Sequence, residues 1–274
     1  MLTPLARRAI RGHDILCGAG SRPHPTITRA APKGSGGYTP GEHEEHTLTV
    51  AAVILAASQA SALADAAGTP AARRLADVAW AGGATPVVVC SVDPDGAVAV
   101  ALANAEVTLA DPAPREAGPV GQIVNGIEAA VQLVTDTQAA LVWPARLAWV
   151  DAETVTTLIA THGEDRATVV QPAYRGEPGF PVLLPVAHLG VFRGLAADRM
   201  PGDLFADLAA LGIPFRLVDT GDPGVVIDVS VARGDLPPYD GPPEPTDTPE
   251  WGSAVADQPD DAPVAGPNRL EPAP

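Results

Sequence analysis

Short apolar runs recur along the middle of the chain, separated by segments in which apolar residues repeat at helical spacing. The first run, AAVIL at residues 51–55, has no polar alternation, which is typical of a parallel strand covered on both faces. Further short runs predict strands at residues 86–90, 107–109, 139–143 and 168–172. Helical spacing predicts helices at residues 70–81, 97–105, 124–135, 152–162, 187–196 and 204–211. This alternation predicts a mostly parallel sheet with right-handed crossovers.

The later part of the chain predicts a change of strand direction. Residues 174–179 (YRGEPG) favour a hairpin tip, and residues 180–185 return as an antiparallel strand at one side of the sheet. Two late strands, at residues 215–218 and 225–229, close the sheet. Asp151 is predicted as the N-cap of the helix that begins at the next residue. The fold class expected from the pattern is α/β with antiparallel late strands.

Composition divides the 274 residues into one domain with two extensions. Residues 1–46 contain four of the six histidines and residues 237–274 contain eleven of the thirty prolines, and neither stretch has apolar periodicity. Both are expected to be disordered. Residues 47–236 are long enough to enclose a substantial apolar core and form the expected domain. Because the pattern starts at Val50, this valine is a candidate for the true first residue.

The net charge of the chain limits which classes of partner are expected. The chain carries a net charge of −16, of which −7 falls in residues 237–274 and +2 in residues 1–46, which leaves −11 for the domain. An acidic surface repels nucleic acids and anionic membranes, so neither is expected as a partner. The acidic, proline-rich tail is most simply a solubilising segment, and binding of a protein partner is the alternative.

Targeting, redox and metal signals are sparse. Cys17 and Cys90 are too few for a disulfide framework. The sequence shows neither a signal-peptide h-region nor an apolar run of about eighteen residues, so a cytoplasmic protein is expected. His43 and His46 could share a metal ion, but a solvated polar tail is the preferred interpretation because no further ligands accompany them.

The loop after the first strand is the natural place for a ligand, because ligands in open α/β sheets bind beyond the carboxyl ends of the strands. This loop offers Ser58, Gln59, Ser61 and Asp65, but no arginine, no lysine and no glycine before Gly68. An acidic protein gives an anionic nucleotide no general attraction. A nucleotide site here would therefore depend on local donors or on a metal ion.

Four segments between Val50 and Leu236 carry a family resemblance: AAVILAA, GTPAARRLADVAWAGGATPVVVC, VQPAYRGEPGFPVLLP and VVIDVSVARGDL. Together they resemble the MobA-like NTP transferases, the group of the molybdenum cofactor nucleotidyltransferases. The most specific part is residues 171–185, close to P-x-Y-x-G-x-x-G-H-P-V-L, with Phe180 in place of the histidine. The resemblance implies a Rossmann-like, three-layer αβα nucleotidyltransferase fold. It also implies binding of CTP or GTP with Mg²⁺ and transfer of a nucleotidyl group to molybdopterin.

The glycine-rich loop of this family is altered in the chain. In the family motif L-A-A-G-x-S-x-R-M-G-x-x-K, main-chain N–H groups approach the triphosphate, and the Arg and Lys offset its negative charge. Read from Leu55, the first glycine falls on Ser58, the arginine on Ala62 and the lysine on Ala67. The resemblance still assigns four residues to nucleotide binding, namely Leu55, Ala56, Ala57 and Ser58.

The implied metal site is altered in the same way. The family carries an Asp after the central strand, in G-D-x-P-L-V-D, where a carboxylate holds Mg²⁺. Counting back from Asp151, Arg146 stands at that position. The late I-D-I-D segment reads IDVS at residues 227–230, which keeps Asp228 as a candidate metal ligand. Arg146 could contact a nucleotide phosphate bidentately in place of Mg²⁺, or it could pair with a neighbouring acid.

Other positions keep two interpretations. Gln122 lies near where the family contacts the nucleotide base, or it is a polar residue at a helix start. Arg175 and Glu177 would face the acceptor substrate, or they belong to an exposed turn. Trp143 and Trp149 could stack on a base, although a place in the core is the commoner case.

Three functions remain, because fold and chemistry are independent. The preferred one is a catalytically impaired binding or accessory protein on a nucleotidyltransferase fold, acting in molybdenum cofactor or enzyme maturation. The alternative is an active Mg²⁺-dependent nucleotidyltransferase that moves CMP or GMP from CTP or GTP to a pterin-type or other phosphorylated acceptor. The third is a protein that uses the sheet only as a scaffold and binds protein partners through its tail or a dimer surface.

Overall fold

The computed structural model describes residues 48–241, which form one mixed β-sheet with helices on both faces. The strands are β1 (Thr49–Leu55), β2 (Val87–Cys90), β3 (Thr108–Ala110), β4 (Thr137–Pro144), β5 (Val169–Tyr174), β6 (Glu177–Pro178), β7 (Val182–Pro185) and β8 (Phe215–Asp219). The helices are α1 (Gln59–Ala62), α2 (Ala71–Ala81), α3 (Ala97–Ala101), α4 (Gly118–Leu133), α5 (Ala152–Glu164), α6 (Leu189–Phe192) and α7 (Pro201–Ala210). The strand order is β3-β2-β1-β4-β7-β5-β6, and β8 pairs with β5.

Strand β1 lies inside the sheet, parallel to β2 on one side and to β4 on the other. Val50, Ala52 and Ile54 pack into the core shared with α2 and α5, while Ala51 and Val53 pack into the core shared with α4, α6 and α7. A strand buried on both faces needs a continuous apolar run, which explains why AAVIL has no alternation. The two cores confirm the three-layer αβα fold.

The antiparallel direction predicted for residues 180–185 is confirmed, but the predicted position is wrong. Strand β7 pairs antiparallel with β4 and with β5, and so it lies inside the sheet and not at its side. All four of its residues are buried, which agrees with an interior strand covered on both faces. The hairpin tip is confirmed, since β5 and β6 pair antiparallel around Arg175 and Gly176.

The strand predicted at residues 225–229 does not form. The chain there begins with a 3-10 turn, Pro223–Val225, in which the Asp222 carboxylate accepts the N–H of Gly224 at 2.7 Å. Gly224 packs so closely on the main chain of Trp149 that a Cβ would collide with it. The apolar run therefore follows the loop after β4 and does not extend the sheet.

The largest departures from the predicted helix bounds occur in three helices. Helix α4 begins six residues early, because Pro119 is well accommodated in a first helical turn. Helix α3 ends at Ala101, and Asn104 beyond it adopts a positive φ of 62°. The helix predicted at residues 187–196 is instead a 3-10 turn (Val186–His188) followed by α6, which ends in a turn at Gly194.

Several predictions fall outside residues 48–241. These are the disordered N-terminal extension, the part of the tail beyond Gly241, the His43 and His46 pair, Cys17 and the N-terminal limit of the domain. Residues 237–241, predicted as the start of the disordered tail, are described, and there Tyr239 donates to Glu153 and the N–H of Asp240 donates to Gly221. Cys90 is described and is buried at the end of β2, where burial raises the pKa of its thiol to about 11. No helix among the described residues combines the length and apolar character needed to cross a bilayer.

Candidate functional site

The candidate site lies where β1, β2 and β4 end together. The N–H of Ala56 donates to the carbonyl of Cys90 at 3.0 Å, and the N–H of Ala145 donates to the carbonyl of Leu55 at 2.9 Å. The chain leaving β1 is thus fixed to both neighbouring strands before it enters its loop. Ala56 is buried, while Ala57 and Ser58 are exposed.

The loop after β1 is closed by a capping box. The Ser58 hydroxyl accepts the N–H of Ser61 at 3.1 Å, and the Ser61 hydroxyl accepts the N–H of Ser58 at 3.1 Å. This reciprocal pair starts the four-residue helix α1. Ser58 stands at the position of the family's first glycine. Its side chain and its N–H are therefore both hydrogen-bonded within the loop itself.

Gln59 ties this loop to the one after β2. Its amide donates to the Asp93 carboxylate at 3.4 Å and also contacts Asp95. The Asp93 carboxylate in turn accepts the N–H groups of Val98 and Ala99 at 2.9 and 3.0 Å, in the first turn of α3. The polar groups of the two loops thus satisfy one another.

Gln122 fastens the loop that precedes α4. Its side-chain amide accepts the N–H of Ala113 at 2.9 Å and donates to the carbonyl of Ala113 at 2.7 Å. One turn further along α4, Asn125 donates to the carbonyl of Asp111 at 2.9 Å. Both side chains fasten the loop before α4 to the helix, which favours the structural interpretation of Gln122.

Arg146 and Asp228, the two positions assigned to the metal site, form an ion pair with each other. The Asp228 side chain is 23% exposed and that of Arg146 is 70% exposed. Burial opposes ionisation of Asp228, but the hydrogen bonds from Arg146 and from the N–H of Ser230 outweigh it and hold the pKa of Asp228 below its usual value. The same hydrogen bond raises the pKa of the Arg146 guanidinium. A fixed positive charge therefore faces the carboxylate that could have held a cation.

The two tryptophans belong to the packing of this loop. Trp143 is fully buried and donates its indole N–H to the carbonyl of Leu147 at 3.1 Å. Trp149 donates its indole N–H to the carbonyl of Val231 at 3.0 Å and carries the Arg74 guanidinium 5.5 Å from its ring centroid. Neither ring has a free face on which a base could stack in this conformation.

A buried carboxylate, Asp222, was not singled out by the sequence analysis. It accepts the N–H of Asp151 at 2.9 Å, the hydroxyl of Thr154 at 2.8 Å and the N–H of Gly224 at 2.7 Å. Desolvation raises the pKa of Asp222 against the effect of these donors. Asp151 itself is confirmed as the N-cap of α5, where it accepts the N–H of Glu153 at 3.2 Å.

The predicted acceptor loop lies at the tip of the β5–β6 hairpin. Arg175 has a positive φ of 52° and places its guanidinium 4.9 Å from the ring centroid of Tyr174. It also pairs with Asp240 at 3.9 Å, with both side chains exposed. Glu177 is exposed. Among the hydrogen bonds and ion pairs of residues 48–241, none joins Arg175 or Glu177 to Arg146 or Ser58.

Asp228 and its neighbours do not fit Mg²⁺. This ion takes oxygen ligands in a near-octahedral shell and is usually held by one or two carboxylates. Across the described part of the chain, no three His, Cys, Asp or Glu side chains converge on one point. Asp228 has Arg146 as its neighbour instead of a second acid.

Comparison with known structures places the fold among the nucleotidyltransferases. A nucleotidyl transferase from Methanothermobacter aligns with a TM-score of 0.53 and 18% identity, over 62% of this chain and 87% of that one. A Mycobacterium tuberculosis protein solved with manganese aligns with a TM-score of 0.50 and 16% identity, over 63% and 88%. A 4-diphosphocytidyl-2C-methyl-D-erythritol synthase from Anaerococcus prevotii aligns with a TM-score of 0.53 and 11% identity, over 67% and 93%.

Comparison of the sequence with family models gives a more specific assignment than the fold does. Residues 52–211, more than half of the chain, match the model of the MobA-like NTP transferase domain. The chain therefore belongs to the MobA-like NTP transferase family. A search against curated proteins gave no match.

Proposed function

We propose that this chain is a MobA-like NTP transferase domain that binds a phosphate-bearing ligand without Mg²⁺ and has lost metal-dependent nucleotidyl transfer. The ion pair between Arg146 and Asp228 carries this proposal. A guanidinium can contact a phosphate through two parallel hydrogen bonds and neutralise its charge, which is part of what Mg²⁺ does in such sites. It cannot ligate water or generate an activated nucleophile as a metal ion does.

The loop after β1 supports the same proposal. A triphosphate loop works by presenting unpaired main-chain N–H groups to the phosphates. Here the N–H groups of Ala56, Ser58 and Ser61 are already bonded within the protein. The motif's arginine and lysine positions hold Ala62 and Ala67. The loop supplies little of the charge stabilisation that the transfer step needs.

The proposed ligand is a nucleotide such as CTP or GTP, and the proposed setting is an accessory role in molybdenum cofactor or enzyme maturation in the cytoplasm, with a protein partner. The family membership supports the nucleotide, and the loss of charged catalytic groups supports the accessory role. The alternative is an active transferase that moves CMP or GMP to a pterin-type or other phosphorylated acceptor. The manganese complex of the Mycobacterium tuberculosis protein is the observation that favours it.

One experiment separates these functions. The full chain is titrated with CTP and with GTP by calorimetry, with and without Mg²⁺, and the same samples are assayed for pyrophosphate release. The proposal expects binding of a nucleotide that is indifferent to Mg²⁺ and no pyrophosphate. Binding that requires Mg²⁺, accompanied by pyrophosphate release, would establish the alternative. If neither nucleotide binds, the nucleotide is the wrong ligand and the search turns to protein partners.

A further inference from the structure

The segment after the 3-10 turn Pro223–Val225, residues 226–241, begins along the loop that follows β4. The N–H of Val229 donates to the carbonyl of Arg146 at 2.7 Å. Two residues later, the carbonyl of Val231 accepts the indole N–H of Trp149 at 3.0 Å. The first part of this C-terminal segment is therefore anchored to the loop that holds the candidate phosphate-binding arginine.

The far part of the C-terminal segment is anchored as well. The Tyr239 hydroxyl donates to the Glu153 carboxylate at 2.9 Å, in the first turn of α5. The N–H of Asp240 donates to the carbonyl of Gly221 at 3.2 Å, and the Asp240 carboxylate lies 3.9 Å from the Arg175 guanidinium. The segment thus reaches from the end of β4 to the hairpin tip beyond β5.

The acids of this segment occupy both arginines that the sequence assigned to ligands. Asp228 pairs with Arg146, and Asp240 pairs with Arg175. Asp228 accepts the Nε–H of Arg146. A carboxylate and a phosphate present the same kind of acceptor to a guanidinium, so only one of them can use this Nε edge at a time. Asp228 is the better placed of the two acids, because its second oxygen also accepts the N–H of Ser230 at 2.8 Å.

We propose that Asp228 is an internal competitor of the ligand: a phosphate group binds the Nε edge of Arg146 only by displacing the Asp228 carboxylate, whose negative charge also repels a phosphate on the remaining edge. This rests on the proposed function, in which Arg146 takes the place of Mg²⁺. The ligand class is a phosphate or pyrophosphate group, whether free or part of a nucleotide. In this proposal, Asp228 controls the access of the phosphate to Arg146 and is not a metal ligand.

The proposal predicts that removing one negative charge strengthens anion binding. Asp228→Asn keeps an acceptor for the N–H of Ser230 but releases Arg146 and removes repulsion from the anion. An exposed ion pair and a neighbouring like charge are each worth a modest amount, so the expected gain in affinity is about three- to tenfold. Asp235→Asn is the matched control, because Asp235 is an exposed acid of the same segment and its loss removes the same charge. It is expected to change the affinity by less than about twofold.

The experiment is calorimetric titration of the full chain with inorganic pyrophosphate in metal-free buffer. The gain in Asp228→Asn is expected to disappear in the double variant Arg146→Gln/Asp228→Asn. Asp228→Ser, which also keeps an acceptor without charge, repeats the test if the asparagine variant fails to fold. Equal or weaker binding by Asp228→Asn than by the wild type overturns the proposal, and so does a gain that persists without Arg146.

The two proposals fail in different ways. If the proposed function is wrong, the wild type needs Mg²⁺ to bind pyrophosphate or nucleotide, and Asp228→Asn weakens that binding. If only the competition is wrong, the wild type binds without Mg²⁺ and Asp228→Asn binds equally well. If the wild type and the variant both fail to bind pyrophosphate, both proposals fall.

Discussion

Replacing Arg146 by aspartate is expected to rebuild the metal position that the family places after β4. In the wild type, Asp228 faces the guanidinium of Arg146. Arg146→Asp replaces this guanidinium with a second carboxylate. Without a divalent cation the two carboxylates repel, and the folded state loses the ion pair as well. With Mg²⁺ or Mn²⁺ present, the two carboxylates together offer the hard oxygen ligands that these ions bind. The variant should therefore acquire cation-dependent stability.

The magnitude follows from the geometry and the exposure. Two unit charges 4 Å apart repel by about 4 kcal/mol at an effective dielectric constant near 20. Because the side chain at position 146 is 70% exposed, solvent screening reduces the expected loss to about 1–2 kcal/mol. A cation at ten times its dissociation constant returns about 1.4 kcal/mol to the folded state. The free energy of unfolding should thus recover almost fully in millimolar Mg²⁺ or Mn²⁺.

The assay is urea unfolding of the wild type, Arg146→Asp and Arg146→Gln, each with and without 10 mM MgCl₂. Arg146→Gln is the matched control, since it removes the positive charge without adding a ligand, and its loss should stay below about 1 kcal/mol. The cation should raise the unfolding midpoint of Arg146→Asp and change the other two equally little. An Arg146→Asp variant that gains nothing from the cation would refute the assignment of position 146 to the metal site.

Three further results are expected. Asp222→Ala should lower the free energy of unfolding by about 2–4 kcal/mol in urea, because it leaves two buried donors and one part-buried donor without their acceptor; Asp235→Ala should cost little. Ser58→Ala should lower stability by about 1 kcal/mol in thermal unfolding through loss of the capping box, and an effect on Mg²⁺-free nucleotide binding would contradict a purely structural role. His162 is fully buried, and burial lowers the pKa of its imidazole below the ordinary 6.5. The unfolded chain therefore binds the proton first, and stability should fall as the pH drops below about 6.5; His162→Leu should show a smaller fall between pH 7.5 and 5.5, and an equal fall would contradict this cause.

The sheet was predictable where burial on both faces forces a continuous apolar run, as in residues 51–55 and 139–143. The position of β7 was not, because strand order depends on pairing between residues more than forty positions apart in sequence, such as Leu141 and Leu183. The apolar run at 225–229 was misleading for a similar reason. Gly224, just before the run, packs on Trp149, and Val229 within it bonds to the carbonyl of Arg146. Local propensity cannot express such contacts.

The candidate site was predictable only in its parts. The sequence identified Arg146 as the altered metal position and Asp228 as the retained carboxylate, but their ion pair joins residues 82 apart. Asp222 escaped notice because nothing local distinguishes a buried aspartate from an ordinary turn residue. The Pro and the Gly directly after Asp222 give only a weak signal that Asp222 caps a turn.

In the proposed function, the guanidinium of Arg146 has taken the place of the divalent cation. The most direct test is binding of Mn²⁺ to the full chain in the presence of CTP, measured as loss of the free Mn²⁺ signal in electron paramagnetic resonance. The wild type is expected to bind no more Mn²⁺ than CTP alone does, while Arg146→Asp is expected to bind more. Binding of Mn²⁺ by the wild type that is abolished by Asp228→Asn would show that Asp228 still holds a metal ion and that Arg146 has not replaced it.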